Sequence, residues 1–204
     1  MTRRLLILTG EREAPYLADY AKGVNRFLTV ETATTAAQLD AALEGDCSRT
    51  RLLSFCTNII VRKRHFAKLS LTPYNVHPGS PDYPGVYPEY FAMRDRVKRF
   101  GATLHEIIPQ IDAGAIIAVE DFAVTGDMNT QTLAMAAYEA ALRLFGAAVR
   151  VCAFDDGALN PSRWVWGPRY NSLDDFIDNF GAPPHPEAWR HLLEKRDRRK
   201  VAMA

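Results

Sequence analysis

The sequence predicts an α/β fold in which a mostly parallel, twisted sheet is flanked by helices and followed by a small C-terminal appendage. Two observations support this fold class. Short apolar runs at residues 4–9, 27–30 and 51–56 indicate strands, and they alternate with helical segments in the βαβαβ order of a parallel sheet. Residues 129–154 place apolar and small side chains at alternating spacings of three and four, which predicts a long helix packed on that sheet.

The helices between the first strands are delimited by prolines and glycines. Residues 15–22 form the first predicted helix, with Pro15 in its first turn and Gly23 as its stop. The second covers residues 35–43 and is closed by Gly45. Proline is favoured at the start of a helix and glycine just past its end, so both helices have the expected boundaries.

The remaining elements are predicted in chain order from their apolar patterns. We expect strands at 71–77, 102–108, 116–124 and 162–166, and helices at 89–100, 129–154 and 186–200. In the long helix, the predicted buried stripe consists of Leu133, Ala137, Ala140, Leu144, Ala147 and Val151. Residues 1–155 are interpreted as the catalytic domain. Residues 156–204 are a C-terminal extension of a strand and helices, expected to serve packing or dimerisation.

Composition excludes several functional classes. The 204 residues are 48% hydrophobic and 24% charged, as in an ordinary globular protein. Twenty-five basic against twenty-four acidic residues leave a formal charge of +1, which argues against a nucleic-acid partner. No apolar run approaches the ~20 residues of a membrane span, and the N-terminus lacks a signal-peptide core. Three cysteines without metal-ligand spacing favour a reduced, cytoplasmic protein and no metal site.

The segment Asn75-Val76-His77-Pro78 stands where a predicted strand meets a proline-rich loop. Asn75 and His77 are two residues apart, so an extended strand directs both to one face. Ligands of open α/β sheets bind where strands end. Farther along, Asp112 lies in a short apolar turn, where a carboxylate needs a partner such as a histidine. An amide, an imidazole and a carboxylate are suited to acyl transfer without a covalent enzyme intermediate.

Several ordered motifs carry a resemblance to a known family. They are Asn75-x-His77-Pro78, Tyr83-Pro84-Gly85, Gly101-Ala102-Thr103-Leu104-His105 and Ile111-Asp112-Ala113-Gly114-x-Ile116-Ile117. In this order they resemble the folate-dependent formyltransferases, which include glycinamide ribonucleotide formyltransferase, the methionyl-tRNA formyltransferase catalytic domain and the sugar N-formyltransferases. The resemblance implies a Rossmann-like fold, 10-formyltetrahydrofolate as formyl donor, and catalysis by Asn75, His77 and Asp112.

The resemblance also assigns the binding residues. The expected folate-binding residues are Thr57, Asn58, Ile59, Ile60, Ile111, Ala113 and Gly114. The expected acceptor-binding residues are Gly79, Ser80 and Tyr83. The family's Ser-Leu-Leu-Pro run is replaced here by Gly79-Ser80-Pro81-Asp82. The loop Gly10-Glu-Arg-Glu-Ala-Pro15 lacks the phosphate cradle of the purine enzyme, and its two glutamates argue against glycinamide ribonucleotide as acceptor.

Three functions are compatible with these residues. The first is N-formylation of a small amine, an amino sugar nucleotide or an amino-acid derivative. The second is hydrolysis of formyltetrahydrofolate to formate. The third is a catalytically inactive protein that keeps a folate-binding pocket.

The remaining histidines and basic residues have ordinary interpretations. His105 is expected to be a packed core residue, with a folate contact as the alternative. His65, His185 and His191 are expected at the surface. The basic cluster at Arg62-Lys63-Arg64 and Lys68 is interpreted as a solvated helix face, with attraction of the glutamate tail of folate as the alternative.

Overall fold

The computed structural model describes residues 3–190 and Leu193, and its centre is a six-stranded sheet. The strands are β1 (Arg4–Leu8), β2 (Thr29–Ala33), β3 (Thr50–Phe55), β4 (Tyr74–His77), β5 (Arg99–Glu106) and β6 (Ile116–Ala123). Their order is β2-β1-β3-β4-β5-β6. Strands β1 to β4 pair in parallel, and β5 and β6 add two antiparallel strands at one side. The predicted α/β fold with a mostly parallel sheet is confirmed.

Helices cover both faces of this sheet. They are α1 (Ala14–Val24), α2 (Ala36–Ala42), α3 (Lys63–Phe66), α4 (Pro88–Arg94), α5 (Thr130–Cys152) and α6 (Leu173–Phe180), with a 3-10 turn at Pro186–Trp189. One core cluster joins α1 and α5 to the sheet, and a second joins α2 to the opposite face of β1 and β3. On β4, Tyr74 and Val76 point into the first cluster. The alternate residues Asn75 and His77 therefore face the other side, toward loops.

Helix α5 buries a stripe of small and apolar residues against the sheet. Four of the predicted members of the stripe are buried, but Ala147 and Val151 are exposed. Beyond Leu144 the stripe continues in steps of four, through Ala148 and Cys152, because 3.6 residues per turn does not match a strict alternation of three and four. By length and composition alone α5 could cross a membrane, and half of its most apolar window is buried inside the molecule.

Several predicted boundaries are wrong. Strand β4 begins at Tyr74 and not at residue 71, and β5 covers Arg99–Glu106 and not 102–108. The helix predicted at 89–100 ends at Arg94, and Arg96 adopts a left-handed φ of 52° that no helix continues through. Gly101 is therefore not a helix stop but lies within β5. Gly23 lies inside α1, which is closed by Asn25. Strand β2 begins two residues later than predicted, at Thr29.

The C-terminal segment contains no strand at 162–166, contrary to prediction. Its backbone instead makes isolated hydrogen bonds to other parts of the chain. Ser162 N donates to Ile116 O, and Gly167 N donates to Pro81 O. Helix α6, which the sequence reading missed, packs Phe176 against Phe91 of α4. The predicted helix at 186–200 begins as the 3-10 turn, and its residues beyond 190, His191 among them, lie outside the described residues except for Leu193. Dimerisation through this segment stays a prediction.

Candidate active site

A cavity of about 1190 Å³ lies over β4 and β5. Its walls come from the loops after β1, β3, β4 and β5 and from residues between 170 and 189 of the C-terminal segment. Branched aliphatic side chains supply much of its apolar surface; these are Ile59, Ile60, Val61, Ile107, Ile108 and Ile111. A cavity of this size with few polar groups has the properties of a small-molecule site.

Backbone strain is concentrated in the same place. Non-glycine residues with positive φ are Cys56, Tyr87, Arg96 and Asp112. All of these except Arg96 line the cavity. Such conformations cost roughly 1–3 kcal/mol each and persist where the surrounding structure enforces them, often at functional sites.

Asn75, His77 and His105 are brought together by strand pairing. Asn75 lies opposite His105 in the antiparallel β4–β5 ladder, and its amide Nδ2 is 3.0 Å from His105 Nε2. His77, two residues along β4, shares that face, as predicted. All three side chains line the cavity.

Asp112 reaches both histidines from the turn after β5. Its Oδ2 atom accepts a hydrogen bond from Gly85 N at 2.9 Å and lies 3.5 Å from His77 Nδ1. Its Oδ1 atom is 3.3 Å from His105 Nε2. The structure thus places the predicted carboxylate against the predicted histidine and adds His105 as a second imidazole.

Backbone carbonyls fix the tautomers of the two histidines. His77 Nε2 is 3.0 Å from Tyr83 O, and His105 Nδ1 is 2.8 Å from Glu106 O. Because a carbonyl oxygen can only accept, each of these nitrogens carries the proton it donates. In the neutral rings, His77 Nδ1 and His105 Nε2 are then lone pairs that face Asp112. The Nε2 lone pair of His105 also accepts the hydrogen bond from Asn75 Nδ2.

The site is electrostatically prepared to gain one proton. Burial lowers the pKa of His77 below its ordinary value, although the charge of Asp112 opposes the shift. Burial alone would raise the pKa of Asp112, but the positive charge that His77 and His105 carry when protonated, the hydrogen bond that protonated His105 donates, and the Gly85 N–H lower this pKa to about 2. His77 is therefore neutral and Asp112 ionised at neutral pH. A proton added to the cluster would cancel its net negative charge.

Trp166 from the C-terminal segment packs against both imidazoles of the cluster. Its ring centroid lies 4.9 Å from that of His105 and 6.0 Å from that of His77. Its indole N–H donates to Gly114 O at 2.7 Å and so fixes the turn that carries Asp112.

The same segment clamps Gly85, whose N–H holds Asp112. Asn171 N donates to Pro84 O, and Val86 N donates to Asn171 O. Gly85 has a φ of 108°, and a Cβ there would lie 2.1 Å from Asn171 O. Only glycine fits this conformation and this close approach.

The predicted folate-binding residues divide into two groups. Thr57, Asn58, Ile59, Ile60 and Ile111 line the cavity. Ala113 and Gly114 are absent from the lining among the described residues. Gly114 lies so near β5 that a Cβ would be 2.0 Å from Glu106 O. The lack of a side chain at Gly114 permits the turn to approach β5. The folate-binding role of Gly114 stays a prediction.

The predicted acceptor-binding residues Gly79, Ser80 and Tyr83 lie behind His77. Gly79 and Ser80 are buried, and none of the three lines the described part of the cavity. Tyr83 contributes its carbonyl to His77. Their contact with the acceptor stays a prediction.

Two sequence interpretations are corrected near the cavity. In the loop after β1, Gly10 and Arg12 line the cavity, whereas Glu13 turns toward the Tyr138 hydroxyl. A guanidinium therefore belongs to the cavity wall here, with the Glu13 carboxylate close to Gly10. His65 is buried, not exposed: its Nε2 is 2.7 Å from Asp40 Oδ1 and its Nδ1 accepts from Arg62 N.

The sequence did not predict that His105, Trp166 and Glu89 belong to the site. His105 contacts Asn75 because β4 pairs with β5. The sequence showed only that His105 lies in a predicted strand. Trp166 and Glu89 carry no local motif. Among the described residues no group of three or more His, Cys, Asp or Glu side chains is arranged to hold a metal ion.

Comparison with known proteins identifies the fold. No protein-family model matches the sequence, and no curated protein is significantly similar to it. Among solved structures, a sugar N-formyltransferase from Shewanella sp is 16% identical, with a TM-score of 0.69 over 87% of this chain and 80% of that one. An N-formyltransferase from Helicobacter canadensis, in complex with folinic acid and dTDP-3-aminofucose, is 17% identical, with a TM-score of 0.65 over 85% and 72%.

A third similar structure is the formyltransferase PseJ from Anoxybacillus kamchatkensis, in complex with UDP-4,6-dideoxy-4-formamido-L-AltNAc and tetrahydrofolate. It is 17% identical, with a TM-score of 0.64 over 89% of this chain and 92% of that one. The resemblance carried by the sequence motifs is thus confirmed at the level of the fold: this chain has the fold of the folate-dependent formyltransferases.

Proposed function

We propose that the protein is an N-formyltransferase that moves the formyl group of 10-formyltetrahydrofolate to the amine of a small acceptor. The observation that carries this proposal is the cluster of Asn75, His77 and Asp112 lining a large, mainly apolar cavity. The complexes of the Helicobacter and Anoxybacillus proteins with folates support the donor. Free cysteines at positions 47, 56 and 152 suit a cytoplasmic location.

The aliphatic walls of the cavity fit the donor. A pterin is flat and apolar on its faces and polar at its edges, so it suits a slot between branched side chains and loop backbone. Ile59 and Ile60 from the loop after β3 and Ile111 from the loop after β5 supply such side chains. Asn58, beside them, offers an amide to the polar edge.

Asn75 is assigned to the formyl oxygen. One N–H of its amide is used by His105 Nε2, which leaves the second N–H to donate. A donor fixed in advance stabilises the negative charge that develops on a carbonyl oxygen during attack, and removal of such a donor typically costs about 10²–10³ in rate. His105 is therefore a positioning residue for Asn75.

His77 is assigned to the proton. As the neutral amine attacks the formyl carbon, the new C–N bond makes the amine nitrogen acidic, and neutral His77 accepts the proton. Asp112 stabilises the imidazolium that results. Return of this proton to N10 accompanies cleavage of its bond to the formyl carbon, so the products are the formamide and tetrahydrofolate.

An amino sugar nucleotide is the acceptor we favour, with an amino-acid derivative as the alternative. Two of the similar structures were solved with nucleotide-linked sugars. Arg12 is the only Arg or Lys in the described lining of the cavity, and it follows β1, where a phosphate could reach it.

The proposal is tested by combining folate binding with turnover. We expect 5-formyltetrahydrofolate to bind wild type in calorimetric titration and Asn58→Ala to weaken that binding. Asp112→Asn should lower turnover by about 10²-fold or more while folate affinity stays within threefold. Formate release without any formylated amine would show a hydrolase. Folate binding without either product would show an inactive homologue, and absence of folate binding would overturn the proposal.

A further inference from the structure

Glu89 is a half-buried carboxylate in the cavity for which the proposed chemistry has no role. It is the second residue of α4 and lines the cavity. None of the ion pairs between described side chains involves it. Partial burial raises its pKa from 4.5 to about 7, although a hydrogen bond with its own backbone N–H opposes the shift, so the carboxylate can take up a proton near neutral pH.

Glu89 lies one residue from a direct neighbour of His77. A Cβ built on Gly79 would be 2.5 Å from His77 Nε2 and 2.7 Å from both Cβ and Cγ of Pro88. His77 and Pro88 thus converge on one point, and Glu89 follows Pro88 in the chain. Glu89 therefore follows, in the chain, a residue packed beside His77, and it lines the same cavity as His77.

We propose that Glu89 receives the ammonium form of the acceptor and takes one proton from it, so that a neutral amine is presented to the formyl carbon. This inference rests on the proposed function. The step is balanced: one N–H bond of the ammonium breaks, its electron pair stays on nitrogen as the nucleophile, and the proton forms an O–H bond on the Glu89 carboxylate. The carboxyl group later returns this proton to solvent.

The overall reaction requires two bases. An ammonium that becomes a formamide loses two protons, of which one ends on N10 of tetrahydrofolate and one in solution. His77 handles the proton that goes to N10, because it is released only during attack. The other must leave before attack, since an ammonium has no lone pair. Among the described residues of the cavity wall, Glu89 offers a carboxylate whose raised pKa of about 7 suits this task.

Burial favours the transfer. Amines with a pKa near ~8 are protonated at neutral pH, and a carboxylate with a pKa of about 7 is only slightly less basic. Desolvation disfavours both charged forms, so an acid and a free amine replace the ion pair once water is excluded. The titratable and charged groups that line the same cavity as Glu89 are Arg12, Cys56, His77, Tyr87, His105, Asp112, Tyr170, Asp174, His185 and Glu187.

The test compares Glu89→Gln with wild type across pH 6–9, using amines that include dTDP-3-aminofucose, UDP-linked 4-amino sugars and amino-acid amides. The variant can use only amine that is already deprotonated. We expect kcat/KM to fall about 10²-fold at pH 7 and the loss to shrink as pH rises, which moves the optimum to higher pH. Affinity for 5-formyltetrahydrofolate should stay within twofold. Glu139→Gln, at an exposed position of α5 outside the described lining of the cavity, is the matched control and should retain the wild-type profile.

Thermal denaturation supplies a second reading that needs no acceptor. A carboxyl whose pKa is raised by folding destabilises the native state as pH rises toward and through that raised value. Glu89→Gln should therefore melt higher than wild type at pH 8, and the difference should largely disappear at pH 5. Unchanged activity, or an equal loss of activity at every pH, would overturn the inference alone. Failure of wild type to formylate any amine would overturn the proposed function and, with it, the role of Glu89.

Discussion

At the scale of single residues, the position of His77 depends closely on the small size of Gly79. The imidazole and the Pro88 ring already lie within 2.7 Å of the place where a side chain at 79 would begin. Gly79→Ala should therefore displace the imidazole from Asp112. We expect kcat to fall by about 10²-fold, as a displacement near 1 Å can produce, while the Kd of 5-formyltetrahydrofolate changes little. Steady-state kinetics and calorimetry measure the two quantities.

Gly126→Ala is the matched control, because a Cβ at that position meets no atom within 4 Å. It should leave kcat and folate affinity unchanged. A Gly79→Ala enzyme that keeps its kcat but loses acceptor affinity would contradict this assignment. It would instead support the direct acceptor contact that the sequence predicted for Gly79.

The sequence predicted Asn75, His77 and Asp112 because their chemistry is visible locally. Two are spaced to share a strand face, and the third is a carboxylate in an apolar turn. His105 could be placed in a strand, but its meeting with Asn75 depends on the register of β4 against β5. That register follows from tertiary pairing and not from any pattern near residue 105. The place of Glu89 in the cavity wall is likewise a property of the assembled loops.

At the scale of elements, α3 holds the loop that forms the aliphatic wall of the cavity. His65 connects them: its Nδ1 accepts from Arg62 N at 3.0 Å, and its Nε2 reaches Asp40 on α2. Because Nδ1 is the acceptor, the ring proton is on Nε2 and is donated to the carboxylate. The residues just before Arg62 line the cavity, so the shape of this wall depends on a buried histidine outside it.

His65→Leu should weaken both this support and folate binding. Loss of two hydrogen bonds at a buried site should lower the free energy of unfolding by about 1–3 kcal/mol and raise the Kd of 5-formyltetrahydrofolate several-fold. Arg64→Leu removes an exposed ion pair to the same Asp40 and should cost at most about 1 kcal/mol. Chemical denaturation and calorimetry give the comparison. Equal effects of the two variants would refute a special role for His65.

Element boundaries were predictable where periodicity and capping agree. Helix α2 begins at its Thr35 cap, whose side chain accepts from Gln38 N, close to the predicted start. The 162–166 segment has the alternation of a strand, but no neighbouring strand edge pairs with it in the described structure. An alternating pattern indicates an extended segment with one packed face and one exposed face. Such a segment forms a strand only where a neighbouring strand edge is available to pair with it.

At the scale of the whole molecule, the C-terminal segment packs against the site that the sheet and its loops form. The sheet supplies Asn75, His77 and His105, and the loop after β5 supplies Asp112. The C-terminal segment then holds Asp112 in two ways. Asn171 fixes Gly85, whose N–H binds the Asp112 carboxylate, and Trp166 donates to Gly114 in the turn that carries Asp112. The segment predicted as an appendage thus completes the environment of the catalytic cluster.

Trp166→Ala measures what this closure contributes. Without the indole, the Asp112 turn loses its hydrogen bond and the imidazoles lose the ring that packs on them. Water can then compete with the amine, so we expect kcat/KM for transfer to fall by about 10-fold or more and formate release per formyl group transferred to rise. Trp164→Ala is the matched control, since the Trp164 side chain is 53% exposed and should change neither quantity. If Trp166→Ala lowers thermal stability but leaves the ratio of transfer to hydrolysis unchanged, the segment only braces the fold, and exclusion of water must come from the cavity walls themselves.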